Sequence, residues 1–251
     1  MIIDLIYSFD YPCFILFLMV SYGINSVYPT MNFLLSKSEK YRGYNKQKQY
    51  YIIKNIIKSL CMSVIFFFLI FTFIPNLYYD IWNDSHNRIV GAFYVANDLA
   101  GLFTVPNLPQ STKFHHYTSV FLFTLICSMT TEEGENVAQL IVVYTIFSCI
   151  PYLVNSYLAL RFYYNRQKAQ TPLSLKELKE NQIIDFIRIA SYYLYFICCL
   201  CNWSYHALFL LNRILLWKLN LTYIIYYILL VPIINDDIVL LQWLKTNRLE
   251  L

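Results

Sequence analysis

The sequence predicts an all-α fold, a polytopic transmembrane helical bundle of about seven spans, with six as the alternative count. Three observations carry this. Of the 251 residues, 58% are hydrophobic and only 14% charged, with a mean hydropathy of +0.46, a balance that a water-soluble domain of this length does not show. The apolar residues gather in segments close to the ~20 needed to cross hydrocarbon as a helix. Finally, 24 Tyr and 19 Phe suit a chain with many helix ends at headgroup level.

The apolar segments, in chain order, are residues 5–28, 52–74, 89–105, 114–129, 137–160, 183–205 and 219–234. The first carries Asp10, follows Asp4, and has neither a basic leading region nor a small-residue cleavage site, so it reads as a retained helix and not a removed signal peptide. The third, fourth and seventh are short and need their flanks, an upright stance or enclosure by neighbours to cross. No internal repeat or independent soluble domain is visible. The expected division is a first helix with its basic loop (1–44), a membrane domain (45–235) and a short cytosolic tail (236–251).

Charges give the expected orientation. Lys37, Lys40, Arg42, Lys46 and Lys48 form one basic loop, and Arg161, Arg166, Lys168, Lys176 and Lys179 another, with the acidic turn TTEEGE (130–135) between them. The positive-inside rule then places the N-terminus in the lumen or outside, and the tail with Lys245 and Arg248 in the cytosol. Arg213 and Lys218 fall on the non-cytosolic side, a mild conflict. The lumenal loop 75–88 contains the sequon Asn83-Asp84-Ser85, making Asn83 a candidate glycosylation site. TPLSLKELKE (171–180) reads as a short amphipathic helix capped by Ser174 with Glu177. A net charge of +4 spread over short clusters leaves no footprint for nucleic acid. The seven cysteines all lie in apolar runs and are expected as packing residues, including the Cys198 and Cys201 pair.

Function in such a chain is sought where polar groups enter the membrane, because an ionisable side chain there needs an internal partner. Asp98, in GAFYVANDLAGLF, is the chief case. His115-His116, in STKFHHYTSVFLF, opens the next span, and the short turn VPNLPQSTK returns the chain so that Asp98 and the histidines face each other from neighbouring helices. An imidazole can take a proton from an amine or hydroxyl, and a carboxylate beside it fixes its tautomer or its charge. Adjacent helical residues point about 100° apart, so one histidine and not both is expected to meet Asp98. His86 and His206 lie toward the opposite face, so no metal is expected. Asn97, Ser148 and Asn155 are the expected cavity or lipid-facing polar residues, with Pro151 freeing a backbone carbonyl near Asn155. Helix-to-helix hydrogen bonding is the plainer role for each.

The order YYIIKNIIKSL, IVGAFYVANDLAGLF, short turn, KFHHYTSVFLF resembles the TLC domain, named for the TRAM, LAG1 and CLN8 proteins, over roughly residues 45–235. FSCIPYLVNSY looks like the following helix of that family, with Ser148, Pro151 and Asn155 at matching positions. The resemblance implies a multi-pass protein of the endoplasmic reticulum or a related internal membrane, with membrane lipids as partners. The family includes ceramide synthases, which acylate sphingoid bases from acyl-CoA, and His115 and His116 would fall on their catalytic pair. The sequence departs from the synthases in that residues 137–160 contain no Asp or Glu. The implied function is action on or binding of membrane lipids. It is either acyl transfer from acyl-CoA as co-substrate to a lipid amine or hydroxyl, with no bound cofactor, or a non-catalytic role in lipid sensing, trafficking or membrane composition.

Overall fold

The structure, a computed structural model, describes residues 9–130, 136–163 and 175–246. Among the described residues every regular element is helical: α1 (Tyr11–Leu35), α2 (Glu39–Arg42), α3 (Lys46–Tyr78), α4 (Asp84–Thr104), α5 (Gln110–Ile126), α6 (Val137–Cys149), α7 (Leu153–Leu160), a 3-10 turn (Arg161–Tyr163), α8 (Leu175–Leu215) and α9 (Leu221–Thr246).

Helix starts fall where side chains can accept the first free backbone N–H groups. Asp10 accepts from Cys13 N at 3.0 Å, with a proline following it in the first turn. Asn83 accepts from His86 N at 2.9 Å, and Asn136 from Gln139 N at 3.1 Å. Pro151 separates α6 from α7, which bend by 45° because proline lacks the donor that would continue the ladder. Asn107, with φ 56°, takes the left-handed conformation that asparagine tolerates, and so turns α4 tightly into α5.

Four helical stretches are long and apolar enough to cross a membrane, Tyr11–Leu35, Lys46–Leu69, Lys179–Leu215 and Leu221–Thr246, and the bent pair α6 and α7 makes a fifth if it is one span. α5, with 17 residues, is short, and α4 carries Asp84, Arg88, Asn97 and Asp98. The outward faces of α3, α8 and α9 expose Phe67, Phe71, Leu208, Leu221, Ile228 and Val231, an apolar surface suited to lipid and not to water.

Two departures from the sequence reading matter. The last helix continues past residue 234 to Thr246, so the described part of the expected tail is helix, and Asp237 is buried within the bundle. Similarly, residues 183–205 are the middle of a 41-residue helix. The acidic residues 131–135, Arg166, Lys168, the Ser174 cap and Arg248 lie outside the described residues. All seven cysteines are free, and Cys198 is buried while Cys201 is exposed.

Polar contacts tie together the two ends of the bundle. At one end, Asp10 N donates to Cys127 O at 2.7 Å, and Arg88 bonds Asp10 Oδ2 at 3.1 Å, Ile126 O at 3.2 Å and Met129 O at 2.5 Å. At the other, Tyr44 donates to Phe162 O, Gln47 donates to Asn107 O at 3.4 Å, and the Arg161 guanidinium lies 4.3 Å from the Trp243 ring centroid. The packed middle is aromatic and tight: Phe17 and Phe123 sit 5.0 Å apart, and Gly91 leaves the space that Phe123 fills.

Candidate functional site

The site is built from α3 outward. Lys54 and Lys58 are four residues apart and therefore share the face of α3 that meets α4 and α5. Lys58 Nζ lies 2.6 Å from Asp98 Oδ1, and the Asp98 side chain has 0% exposure. Lys54 Nζ lies 3.0 Å from His116 Nε2. Gly101, three residues along α4 from Asp98, provides the room for Lys54: a Cβ there would come within 2.9 Å of Lys54 Cε. Gly101→Ala must push Lys54 aside, and we expect it to cost about 1–3 kcal/mol, the scale of overpacking a filled core, read as a lower Tm in detergent. An unchanged Tm would show that Lys54 is free to move.

From α5, the two histidines turn to different carboxylates. His116 Nδ1 lies 3.0 Å from Asp98 Oδ1, in ion-pair range but off the line of a hydrogen bond. His115 Nδ1 lies 3.4 Å from Asp236 Oδ2, again without hydrogen-bond alignment. The rings are 5.5 Å apart at 79°, the divergence expected of neighbours on a helix. On α9, Asp236 also accepts from Thr112 at 3.3 Å, while Asp237 accepts from Tyr195 at 2.6 Å and from Tyr144. Ser59 and Ser156, with their hydroxyls 2.5 Å apart, fasten α3 to α7 beside the site.

Lys54, Lys58, His115, His116, Asp236 and Asp237 line the floor of a cavity of about 530 Å³ whose outer wall includes Gln47 and Lys48, exposed in the first turn of α3. It therefore reaches from the end of the bundle that carries the basic residues to the histidines. Ser148 and Asn155 stand on its wall with Pro151, as expected. Asn97 does not. Its side chain donates to Phe93 O at 2.8 Å on its own helix, because the residue next to Asp98 points about 100° away from it. His206 serves a separate network, with Nε2 2.8 Å from the Tyr226 hydroxyl, and His86 is exposed at the other end of the bundle. Asn83 is exposed there too, with its Oδ1 engaged in the helix cap.

Lys54, Lys58, Asp236 and Asp237 were not among the residues singled out from the sequence. Their signals were present. The i, i+4 lysines of YYIIKNIIKSL stand among apolar residues, and the aspartates of PIINDDIVLLQWL have apolar flanks just as Asp98 does. The first pair falls inside the apolar segment 52–74, beyond the basic loop that ends at Lys48, and the second lies just past the end of the segment 219–234.

The charges nearly balance. Asp98, Asp236 and Asp237 lie around the same buried space as Lys54 and Lys58, and protons shared among Lys54, the histidines and Asp237 make the set neutral, the state a low-dielectric interior favours. Asp98, His115 and His116 offer donor atoms within 4.8 Å of one another, close enough to share a cation. Lys58 already binds Asp98, and Lys54 Nζ occupies His116 Nε2, which weighs against a dication and for proton transfer. Among the described residues Asp98 Oδ2 has no hydrogen-bond partner, so the site retains an acceptor.

Comparison with protein-family models, with curated proteins and with solved structures finds no match. The geometry of the site is therefore the basis for its functional reading.

Proposed function

We propose that this is a TLC-like membrane protein that takes a membrane lipid into the cavity and transfers an acyl group from acyl-CoA to the lipid's amine or hydroxyl. The observation that carries the reading is the separate pairing of His115 and His116 with Asp236 and Asp98 at the floor of a cavity that reaches the basic end of the bundle. The aspartates that ceramide synthases carry in the following helix are absent from residues 137–160, and α9 brings Asp236 to His115 from elsewhere in the chain, with Asp237 beside it held by Tyr144 and Tyr195.

His115 is the base in this scheme, since His116 is already engaged by Lys54 and Asp98. It takes the proton of the nucleophile as the new C–N or C–O bond forms at the thioester carbon. The C–S bond breaks and the departing thiolate takes a proton. Asp236 holds the imidazole and balances its positive charge. Lys48 and Arg161 along the cavity suit the phosphates of the carrier.

The proposal includes seven crossings, with α4 and α5 enclosed among the longer helices, a cytosolic basic end, and residence in the endoplasmic reticulum or a related internal membrane. The gathering of alternate helix ends at the two ends of the bundle supports the count. Lys48→Cys should label from the cytosol and Ser85→Cys only from the other side. Labelling of both from one side would contradict the topology.

The function is tested by whole-cell lipid profiling with wild type and a His115→Ala, His116→Ala double variant at equal expression, followed by purified protein with acyl-CoA and candidate acceptors. A histidine-dependent acylated product supports the enzyme. A lipid held in the cavity without acyl transfer would assign the non-catalytic role, and equal lipid profiles and binding would refute both.

A further inference from the structure

Lys54, His116 and Asp98 form a chain of three groups: an amine 3.0 Å from one imidazole nitrogen, and a carboxylate oxygen 3.0 Å from the other. That is the order of nucleophile, base and orienting acid of a catalytic triad, with an amine in the nucleophile's place. Lys58 does not compete for the role, because its ammonium is bound to Asp98 at 2.6 Å and lies over the Tyr94 ring. Among the described residues Lys54 makes no ion pair, and its positive neighbour Lys58, one turn along the same helix, disfavours a second ammonium there. Its amine lies at the wall of the cavity. Gly101 gives its stem a fixed path, so the amine is held in place. Hydrogen bonding to an imidazole, burial, a neighbouring cation and access to an apolar-walled chamber together describe an amine prepared to attack carbon.

We propose that Lys54 is a nucleophile that forms a reversible imine with a lipid carbonyl, an aldehyde or ketone on a long apolar chain. Nζ attacks the carbonyl carbon, the C–N bond forms, and the carbonyl π electrons move to oxygen. The nitrogen loses a proton to His116 Nε2. Relayed by His116, that proton passes to the alkoxide to give the carbinolamine, and the nitrogen's second proton follows the same path to the hydroxyl, which leaves as water as the C=N bond forms. Amine and carbonyl give imine and water, with no oxidant or reductant. Asp98 stabilises the imidazolium in the interval, and Lys58 keeps Asp98 in place.

This rests on the cavity admitting a lipid chain, and the experiment separates the two claims. Purified full-length protein in detergent is incubated with hexadecanal and sodium cyanoborohydride, which reduces an imine to a stable secondary amine, and modified peptides are mapped by mass spectrometry. In parallel, hexadecanol, which has the same chain and no carbonyl, is tested for a shift in Tm. The expected result is one alkylated lysine, Lys54, with the modification lost in Lys54→Arg, which keeps a long N–H donor and removes the nucleophilic amine, and about a hundredfold slower in His116→Gln. Alkylation equal to that of surface lysines, alkylation at Lys58 instead, or an unchanged rate in His116→Gln would overturn the proposal. Stabilisation by hexadecanol with no adduct at Lys54 would overturn the imine and leave the lipid cavity standing. Absence of both would remove both.

Discussion

Asp98→Leu is expected to lower the stability of the protein by about 3–5 kcal/mol, enough to prevent accumulation of folded protein in the membrane. The carboxylate is fully enclosed and bound by Lys58 at 2.6 Å and faced by His116 at 3.0 Å. Its removal strands an ammonium whose side chain is 14% exposed and an imidazole that is 4% exposed, and breaking a buried pair from one side costs that much because the remaining charge has no partner. Asp98→Asn keeps the shape and an acceptor oxygen, and should cost clearly less. Thermal unfolding in detergent, with recovery by size exclusion, distinguishes the two variants. Equal and small losses in both would mean that Lys58 finds water without Asp98, and that the site is far wetter than its burial indicates.

The second large effect concerns the histidines. His115→Ala is expected to reduce acyl transfer about 10²–10⁴-fold, the contribution of a general base. The geometry further specifies which carboxylate belongs to which ring. In double-mutant cycles, Asp98 should couple to His116 and Asp236 to His115 by about 0.5–3 kcal/mol, and the crossed pairs Asp98 with His115 and Asp236 with His116 should couple more weakly. Adjacent residues on a helix cannot exchange partners without unwinding it. Strong coupling in a crossed pair, or additivity in both direct pairs, would contradict the assignment.

How much of this was legible beforehand depended on the kind of signal. The helices were readable because each apolar segment is long compared with a strand and bounded by turn residues, as at Asn83, Asn107 and Asn136, where the structure places caps or a turn. The link between Asp98 and the histidine pair was readable because a short turn joins their helices, which forces antiparallel neighbours. Contacts between helices distant in sequence were not readable in this way. Asp236 reaches His115 across 121 positions, and nothing local in either segment records it. Hydropathy also misplaced the end of the last span, since two aspartates terminate an apolar run in any sliding window, yet on α9 one pairs with a histidine and the other accepts from two tyrosines. Likewise, Lys54 and Lys58 lie near a basic loop in sequence but about two and three turns inside the helix in space. Their long stems bring the ammonium groups to Asp98 and His116 instead of to the interface. Asn97 failed for a simpler reason: being adjacent to a site residue on a helix is evidence for pointing elsewhere.

The central claim is that a lipid occupies the chamber above these groups. It is tested most directly by measuring the lipids that remain with the purified protein, by mass spectrometry, for wild type and for Ser148→Trp, which fills the cavity from its α6 wall. A stoichiometric lipid on wild type that is lost from an equally stable Ser148→Trp protein is the predicted result. The same lipid content in both proteins, with folding equal, would contradict the account.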